Sequence, residues 1–357
     1  MSKLLGTGPW WRISRFVALA VAGTVALAAC GATTPSQHAH PKLVYFIFNG
    51  YTPPYFGPMA QGILAVAKHY PQLDIKIISA NSSAAAEISD IQEAVAAGAA
   101  GIILNAVDTS VTAAAQQAVA HHVPVVTLDR DVSSPSARVA FIGDNDLKLG
   151  QQMTTACLQA AGAAHLPTPY KTVVLEGTLG STTAVDRLTG TQQVLANDHS
   201  KVDVKLTQSA NFDTGAAQTV MSEFLATSHD IQMVIAGNDA MALGVITALT
   251  TAGITPGQQT VLCGADAQPQ SLTAVQAGTQ SVTVTHSPYL EAFWAVEAMD
   301  NYLFRHTTPP AGQFPKGVVL IPQTVVTKAN VTHISAWGTP TVIPPLPYGV
   351  AKQFPAS

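Results

Sequence analysis

From Lys42 onward, two kinds of segment alternate along the chain. Short runs rich in β-branched and aliphatic residues are each followed by a turn and an Ala-rich stretch long enough for a helix. The short runs are apolar without alternation, which is typical of strands in a parallel sheet covered by helices on both faces. In the first half the pattern predicts strands at 43–48, 75–79, 101–105, 123–128 and 139–143, and helices at 59–69, 88–97 and 111–121.

The same pattern restarts after Gly143. Repeated strand–helix units of this length indicate parallel sheets with right-handed crossovers. Two consecutive five-strand series therefore predict an α/β fold with two doubly wound parallel-sheet lobes. The Pro-rich tail after Trp337 is expected to be irregular. The predicted strands are 172–175, 204–207, 233–236, 261–263 and 281–285, the helices 149–161, 183–196, 215–227, 241–252, 269–277 and 289–304, and a last extended segment 321–327.

The strand predicted at 123–128 runs directly into three charged residues, Asp129, Arg130 and Asp131. Ligands of open parallel sheets bind outside the carboxyl ends of the strands. An Asp–Arg pair at that edge offers carboxylate acceptors beside a rigid fork of donors, which suits vicinal hydroxyl groups. A surface salt bridge or a turn after the strand explains this segment equally well.

Several other predicted strands also end in polar residues. Taken singly, each such residue is more often a helix cap or a turn residue. Together they fit a polar cleft between two lobes, and aromatic residues in nearby loops suit stacking on the apolar faces of a sugar. Aromatic residues packed on their own lobe are the alternative. The polar residues are Asn49, Asn238, Asp239, Asp266 and His286, and the aromatic residues are Tyr55, Phe56 and Phe212.

The first thirty residues have the features of an export signal. Three basic residues precede an apolar run at 16–29 that is too short to span a bilayer. The run ends in Leu-Ala-Ala-Cys, which resembles the bacterial lipobox, so Cys30 is expected to be lipidated and to anchor the mature chain to the membrane. An ordinary signal peptide that happens to contain a Cys is the alternative. Residues 31–41 are interpreted as a polar linker.

Composition narrows the range of partners and cofactors. Without residues 1–30 the chain holds 14 Lys and Arg against 21 Asp and Glu, a formal charge of about −7, which argues against a nucleic-acid partner. The eleven His are scattered, and no dinucleotide, P-loop, nucleophile-elbow or zinc-protease motif occurs, so neither a metal nor a cofactor is expected. Cys157 and Cys263 could pair outside the cytoplasm, but two Cys carry no disulfide-framework signature, so two buried free thiols are the favoured interpretation.

Several motifs occur together in a specific order. They are 102–108 leading to 123–130, then Ser181-Thr182-Thr183-Ala184-Val185-Asp186-Arg187, Phe212-Asp213, Ala236-Gly237-Asn238-Asp239-Ala240-Met241, Asp266, and 323–330. In this order they make the chain resemble a type I periplasmic sugar-binding protein of the ribose-binding kind, over roughly residues 42–330.

The resemblance implies which residues touch a sugar. They are Tyr55 and Phe56 in the first loop, the pair Asp129 and Arg130, and Arg187, Phe212, Asn238 and Asp266 in the second lobe. Two positions depart from the family: Pro53 replaces a polar amide, and His286 replaces a glutamine. Both positions normally touch the ligand, so a related pentose, hexose or polyol is expected rather than ribose itself.

The resemblance also implies a three-stranded hinge between the lobes. Its crossings fall near Gly143, near 285–287 and near 322–324. The first lobe is then 42–143 plus 287–322, the second is 144–286 plus 323–338, and 339–357 is an irregular tail.

The function implied by the resemblance is reversible capture without catalysis. A monomer, tethered through its lipid to the outer face of the cytoplasmic membrane, would deliver its sugar to the permease of an ABC importer. A sugar sensor that feeds a membrane receptor kinase or chemoreceptor would use the same pocket, and an extracytoplasmic sugar hydrolase is a third hypothesis. A cytoplasmic repressor is excluded by the signal peptide.

Overall fold

The structure is a computed structural model that describes residues 40–51, 54–349 and 354–355. The export signal, Cys30, most of the predicted linker and Pro53 lie outside the described residues. Among the helices that are described, none combines the length and the apolar character needed to cross a membrane.

Strands and helices alternate through most of the described chain. The strands are β1 (Lys42–Phe48), β2 (Leu73–Ser79), β3 (Gly101–Asn105), β4 (Val125–Leu128), β5 (Ala140–Gly143), β6 (Tyr170–Glu176), β7 (Val202–Ser209), β8 (Met233–Ala236), β9 (Val261–Cys263), β10 (Thr283–Val284), β11 (Val318–Leu320), β12 (Val325–Val326), β13 (Val342–Ile343) and β14 (Phe354–Pro355). The helices are α1 (Phe56–Ala67), α2 (Ala84–Ala96), α3 (Thr112–Ala120), α4 (Asp146–Ala163), α5 (Thr182–Asn197), α6 (Thr214–Thr227), α7 (Asp239–Thr251), α8 (Pro269–Ala277) and α9 (Pro288–Arg305).

Two parallel sheets organise these elements. The first sheet has six strands in the order β11-β5-β4-β3-β1-β2, and the second has four in the order β7-β6-β8-β9. All strand pairs within both sheets are parallel. The predicted α/β class with two parallel sheets is confirmed.

The second sheet differs from the predicted five strands. The segment expected as its fifth strand contains β10, which pairs antiparallel with β12. The segment also runs parallel to β9 and the residues after it, with backbone hydrogen bonds such as those from Gly264 N–H to Val282 O and from Asp266 N–H to Val284 O, but it does not extend the sheet as a continuous strand. The reason is that β10 leads into α9 and β12 follows β11, so both are segments that run to or from the first sheet. β11 itself was not predicted, because three residues carry too little pattern.

Each sheet buries apolar side chains on both of its faces. On the first sheet, α1 and α9 cover one face around Phe46 and Phe293, while α2 and α3 cover the other around Ile102. On the second sheet, α6 and α7 cover one face, and α4 lies on the other. Most helices begin at a side chain that accepts a backbone N–H, which satisfies one of the unpaired donors of the first turn. These caps are Ser83, Asn145, Ser181, Asp213, Asn238 and Ser287.

Cys157 and Cys263 form a disulfide, so the expectation of two free thiols is wrong. α4 packs beside β9 and brings the two Cα atoms to 6.0 Å, a separation that a disulfide bridges without backbone movement. The two residues are 106 positions apart in the sequence, where no spacing rule links them.

The tail after Trp337 is only partly irregular. β13 and β14 pair antiparallel, and Ile343 and Leu346 are buried in the core of the first sheet beside α9. The tail was expected to be irregular because prolines at 340, 344, 345 and 347 obscure any periodicity. The segment is nevertheless part of a core.

Helices α4 and α5 approach each other closely through two glycines. A Cβ on Gly150 would overlap the carbonyl oxygen of Arg187, and a Cβ on Gly190 would overlap that of Leu147. The contact places the backbone of Arg187, a predicted ligand residue, directly against α4.

Replacing Gly150 by Ala should therefore destabilise the protein. Overlap with backbone cannot be relieved by a rotamer change, so we expect the free energy of unfolding in urea to fall by about 1–3 kcal/mol. Gly162→Ala in the same helix is the control, because its Cβ would meet nothing closer than Tyr170 Oη at 3.8 Å. That control should be neutral or raise stability by up to about 1 kcal/mol. Equal effects of the two substitutions would contradict the close approach.

Candidate functional site

One cavity brings together all nine predicted ligand residues. It lies between the carboxyl ends of the first-sheet strands and those of the second sheet, where β4, β8 and β9 end. The space between its side chains, including space open to solvent, amounts to about 270 Å³. Every lining residue is at least 95% buried. They are Tyr55, Phe56, Asp129, Arg130, Thr183, Arg187, Phe212, Asn238, Asp266 and His286.

Asp129 follows β4 in a left-handed conformation, with φ of +58°. Its Oδ2 accepts a hydrogen bond of 2.8 Å from Asn105 Nδ2, and its backbone N–H donates to Ile142 O. Left-handed backbone costs energy for a residue with a Cβ and is concentrated at functional positions. Burial raises the pKa of Asp129, and the charges of His286 and Arg130 oppose that rise.

The guanidinium of Arg130 lies between two aromatic rings. Its Cζ is 5.2 Å from the centroid of Phe56 and 5.6 Å from that of Phe212. Nη1 donates to Val107 O at 3.1 Å, whereas Nε is 3.8 Å from Asp129 Oδ2, too far for a hydrogen bond. Burial lowers the pKa of Arg130, while the carboxylate of Asp129 counteracts it. The rings hold this cation with several of its donors uncommitted.

Arg187, on α5, is committed on every side. Nε donates to Asp146 Oδ1 at 2.7 Å, and Nη1 donates to Gly237 O at 3.0 Å and to Asp266 Oδ1 at 3.1 Å. Nη2 lies 2.8 Å from His286 Nδ1. Burial alone would lower the pKa of Arg187, but Asp146 and Asp266 raise it. The residue is a fixed cation at the end of the second sheet.

His286 is surrounded by carboxylates. Nε2 lies 3.0 Å from Glu291 Oε1 and 3.5 Å from oxygens of both Asp129 and Asp144. Burial by itself would lower the pKa of the imidazole, but Asp144 and Glu291, together with hydrogen bonds to Asp266 and Glu291, raise it well above its ordinary value. Nδ1 faces both the Arg187 donor and, at 3.3 Å, Asp266 Oδ1. It therefore has a partner in either protonation state.

Tyr55 closes the cavity on the His286 side. Its ring stacks on the imidazole with centroids 4.5 Å apart, and its hydroxyl donates to Glu291 Oε2 at 2.8 Å. Glu291 thus receives hydrogen bonds from both members of the stack. The stacked pair forms one wall of the cavity.

Phe212 and Asn238 come from the loops after β7 and β8. The Phe212 ring occupies the space where a Cβ on Gly177 would stand, so the ring requires glycine there. Asn238 Oδ1 accepts Met241 N–H at 3.0 Å and caps α7. The cap interpretation therefore applies to this residue, which also lines the cavity.

Hydrogen bonds that involve threonine hydroxyls also join the two edges of the cavity directly. Thr183 Oγ1 donates to Asp129 O at 3.2 Å, and Asp131 N–H donates to Thr182 Oγ1 at 2.9 Å. Both threonines begin α5, in the motif that contains Arg187. These contacts hold the start of α5 against the end of β4.

Three of the strand-end residues do not line the cavity. Asn49 accepts from Ser82 Oγ, and Asp239 is buried beneath Gln280 and Thr283, both of which donate to it. Asp131, the third charged residue after β4, forms a bidentate ion pair with Arg138, both distances being 2.6 Å. Arg138 follows only seven residues later, so the loop between them brings the charges together.

Several residues that hold the site were not predicted. Asn105 ends a buried strand, the same signal that identified Asp266. Asp146 lies in a polar run after β5, so the strand-end signal could have identified it. Glu291 lies in the first turn of α9 and Thr183 in that of α5, where no local pattern separates a site residue from an ordinary helix residue. The unpredicted residues are Glu87, Asn105, Asp146, Thr183 and Glu291.

Among the described residues, one group offers metal-ligand atoms close together. Atoms of Asp129, His286 and Glu291 lie within 4.8 Å of one another. Metal ligation needs a free lone pair on the imidazole, but the surrounding carboxylates favour its protonated form. A proton on the ring would therefore compete with a metal ion for this group.

The chain that carries this cavity matches a known protein family. The model of the family described as "Periplasmic binding protein domain" matches residues 44–305. The chain belongs to this family. The predicted resemblance is confirmed.

Individual members of the periplasmic binding protein family resemble the chain over most of its length. The ribose import binding protein of Bacillus subtilis is 30% identical over 251 residues, which cover 70% of this chain and 78% of that protein. The D-apiose import binding protein of Paraburkholderia graminis is 28% identical over 317 residues, covering 88% and 95%. A solute binding protein of Bacillus halodurans, solved with bound myo-inositol, superimposes with a TM-score of 0.74 at 21% identity, covering 84% and 98%, and shares the fold.

Glu87, on α2, supports Arg130 from outside the cavity. Its Oε2 accepts Val107 N–H at 2.7 Å, and Val107 O in turn accepts from Arg130. Its other oxygen, Oε1, has no hydrogen-bond partner. Burial raises the pKa of Glu87 to about 8, from an ordinary value of 4.5. The neutral carboxyl group is thus the form that suits this position.

The free energy of unfolding should fall as the pH rises from 4.5 to about 8. A carboxyl group whose pKa is raised by folding contributes its full stability below the unfolded value of 4.5 and loses it as pH rises to about 8. Glu87→Gln should flatten the decline of unfolding free energy between pH 5 and 8, by at most about 1.4 kcal/mol per pH unit. Urea titrations across this range measure it. Glu223→Gln, at an exposed position on α6, should keep the wild-type slope, and identical slopes in all three proteins would contradict the assignment.

Proposed function

We propose that this chain is an extracytoplasmic binding protein that captures a monosaccharide or related polyol in the cavity and delivers it to an ABC importer. The observation that carries the proposal is the composition of the cavity. Buried carboxylates, guanidinium groups and an amide converge from the two sheets on one small space walled by aromatic rings. No chemical step is part of the proposal.

The cavity offers the groups that a polyhydroxy ligand needs. Asp129 and Asp266 accept hydrogen bonds from vicinal hydroxyls, and Arg130 and Asn238 donate to hydroxyl oxygens. Phe56 and Phe212 present flat apolar surfaces to the C–H faces of a sugar ring. An apolar ligand would leave the remaining donors and acceptors of these groups unpaired, at a cost of about 1–3 kcal/mol each.

Ligand capture is coupled to closure of the cleft. Asp129 and Arg130 come from the first sheet, and Asp266 and Asn238 come from the second. Only a closed cleft lets one small ligand bond to both sets, so the ligand stabilises the closed form by its differential affinity. The proposed lobes, 42–143 with 287–322 and 144–286 with 323–338, agree with the membership of β11 in the first sheet and with the pairing of β12.

The relatives support a class of ligand rather than one particular compound. Those named above are import binding proteins for ribose and D-apiose, and a structural neighbour holds myo-inositol. His286 presents an imidazole ring, contacted by four carboxyl groups, where a ribose binder carries glutamine. We therefore propose a pentose, hexose or polyol other than ribose as the preferred ligand.

Calorimetry with a panel of free sugars and polyols on the protein without residues 1–30 tests the proposal. At least one compound should bind, and Arg130→Ala should weaken that binding by about 10- to 100-fold, since a hydrogen bond to a charged group contributes about 1.5–3 kcal/mol. Arg130→Lys keeps the charge but loses the planar fork and should fall between the two.

Lys201→Ala is the matched control, because Lys201 is exposed and pairs only with Asp198. It should bind as the wild type does. Wild-type protein that binds no compound would remove the proposed function. Unchanged binding by Arg130→Ala would contradict the ligand-binding role of Arg130 but not the proposed function.

We also propose that Cys30 is lipidated and anchors the protein to the outer face of the cytoplasmic membrane. The support is the Leu-Ala-Ala-Cys sequence after an apolar run of signal-peptide length. Stable anchoring of a soluble domain then depends on the acyl chains alone.

Cys30→Ser should release the protein from the membrane or leave it unprocessed. Detergent phase partition of a bacterial expression strain, with metabolic labelling by a fatty acid, measures this outcome. Wild-type protein should enter the detergent phase and carry label, and the variant should lose the label. Cys157→Ala with Cys263→Ala is the control for labelling at other cysteines. Equal labelling of wild type and Cys30→Ser would contradict the anchor.

A further inference from the structure

The segment from Ser335 to Gly349, which we name the C-terminal strap, runs from the second sheet to the first. At its start, Trp337 N–H donates to Ala267 O at 2.7 Å, in the loop that follows β9 and Asp266. Just before the strap, Val331 is buried with Val275 of α8 and Val326 of β12. The strap is therefore attached to the second-sheet side beside a cavity residue.

The rest of the strap is attached to α9, on the first-sheet side. Thr339 Oγ1 lies 3.0 Å from Ser287 Oγ, and Trp294 Nε1 donates to Pro344 O at 2.9 Å. Leu346 N–H donates to Glu297 Oε2 at 3.1 Å, and the Leu346 side chain is buried in the first-sheet core. These bonds are spread along α9 from its first turn to its middle.

Two residues of the strap lie directly behind the Tyr55–His286 wall of the cavity. The Trp337 ring meets the Tyr55 ring edge to face, with centroids 5.6 Å apart and planes at 81°. Gly338 packs so closely on Thr285, the neighbour of His286, that a Cβ there would overlap the threonine side chain. Neither strap residue lines the cavity.

The backbone of the strap is held in an unfavourable conformation at this point. Trp337 has φ of +62°, a left-handed value that costs energy for a bulky residue, and Gly338 follows with φ of +67°. Trp337 is nevertheless 93% buried. A turn of this kind persists only where the surrounding contacts fix it, and those contacts are Ala267, Tyr55 and Thr285.

We propose that Trp337 is a positioning residue of the ligand site. Its ring holds Tyr55 against His286, so that the stacked wall keeps one geometry during ligand capture. The effect on affinity rests on the proposed function, whereas the effect on His286 does not. The strap is hydrogen-bonded to both sheet sides. Trp337 therefore also couples the position of the Tyr55–His286 wall to the arrangement of the two halves of the cleft.

Trp337→Leu and Trp337→Phe separate the ring contact from the filling of the core. Leucine is large and apolar but has no ring edge, whereas phenylalanine keeps the edge contact with Tyr55. The readout is the imidazole resonances of His286 in the full-length chain, solubilised in detergent and labelled with ¹⁵N-histidine. His286→Gln identifies these resonances by their loss.

Trp337→Leu should shift the His286 resonances and move their titration midpoint, since the imidazole loses its fixed stack on Tyr55. Trp337→Phe should restore both values towards those of the wild type. Gly338→Ala, which displaces Thr285 from the same side, should also shift them. Wild-type resonances and midpoint in folded Trp337→Leu protein, or in Gly338→Ala, would overturn the proposal.

Affinity gives the second readout, with D-ribose and myo-inositol as probes. For a probe that the wild type binds, Trp337→Leu should weaken binding by about five- to tenfold and Trp337→Phe by less than about twofold. Unchanged affinity in Trp337→Leu overturns the positioning role. If the wild type binds neither probe, the resonance experiment alone decides the role of Trp337, and the panel of sugars and polyols decides the proposed function separately.

Discussion

The second half of the cavity depends on the hydrogen bonds and ion pairs that the buried guanidinium of Arg187 forms. A cation at this depth is tolerated only when its donors are paired, because an unpaired buried charge costs several kcal/mol. Asp146 comes from α4, Asp266 follows β9, and the Gly237 carbonyl follows β8, so one side chain joins three elements. The close glycine contact between α4 and α5 is what lets Arg187 reach all of them.

The first half of the cavity uses a different physical device. Arg130 is held mainly by the faces of Phe56 and Phe212, and its distance from Asp129 is too long for a hydrogen bond. Stacking fixes the plane of the guanidinium without using its N–H groups. One half thus presents a cation that is already satisfied, and the other presents one with free donors. The free guanidinium donors of the cavity are therefore those of Arg130, while Arg187 mainly positions the carboxylate of Asp266.

The sequence predicted the fold and the cavity residues for separate reasons. Apolar runs without alternation identified the central strands, because a strand covered on both faces has no polar side to show. Asp129 and Asp266 were recognisable because parallel strands place their carboxyl ends at one edge. The supporting residues Glu87 and Glu291 were not recognisable, since each lies in a helix where acids are common and only tertiary packing brings it to the site. The pairing of Cys157 with Cys263 depended on packing in the same way, and so did the burial of the tail.

The disulfide divides the ligand site unequally. It closes a covalent ring from residue 157 to residue 263, within which Arg187, Phe212 and Asn238 lie, whereas Asp129 and Arg130 lie outside it. Tethering of this kind restricts the unfolded chain of one half of the cleft only. In the cytoplasm, where thiols are kept reduced, that restriction is absent. The second half therefore gains this covalent stabilisation only on the side of the membrane where a periplasmic binding protein meets its solute. In a chain retained in the cytoplasm, the first sheet would be unaffected, while the second half would lack the stabilisation that the disulfide provides.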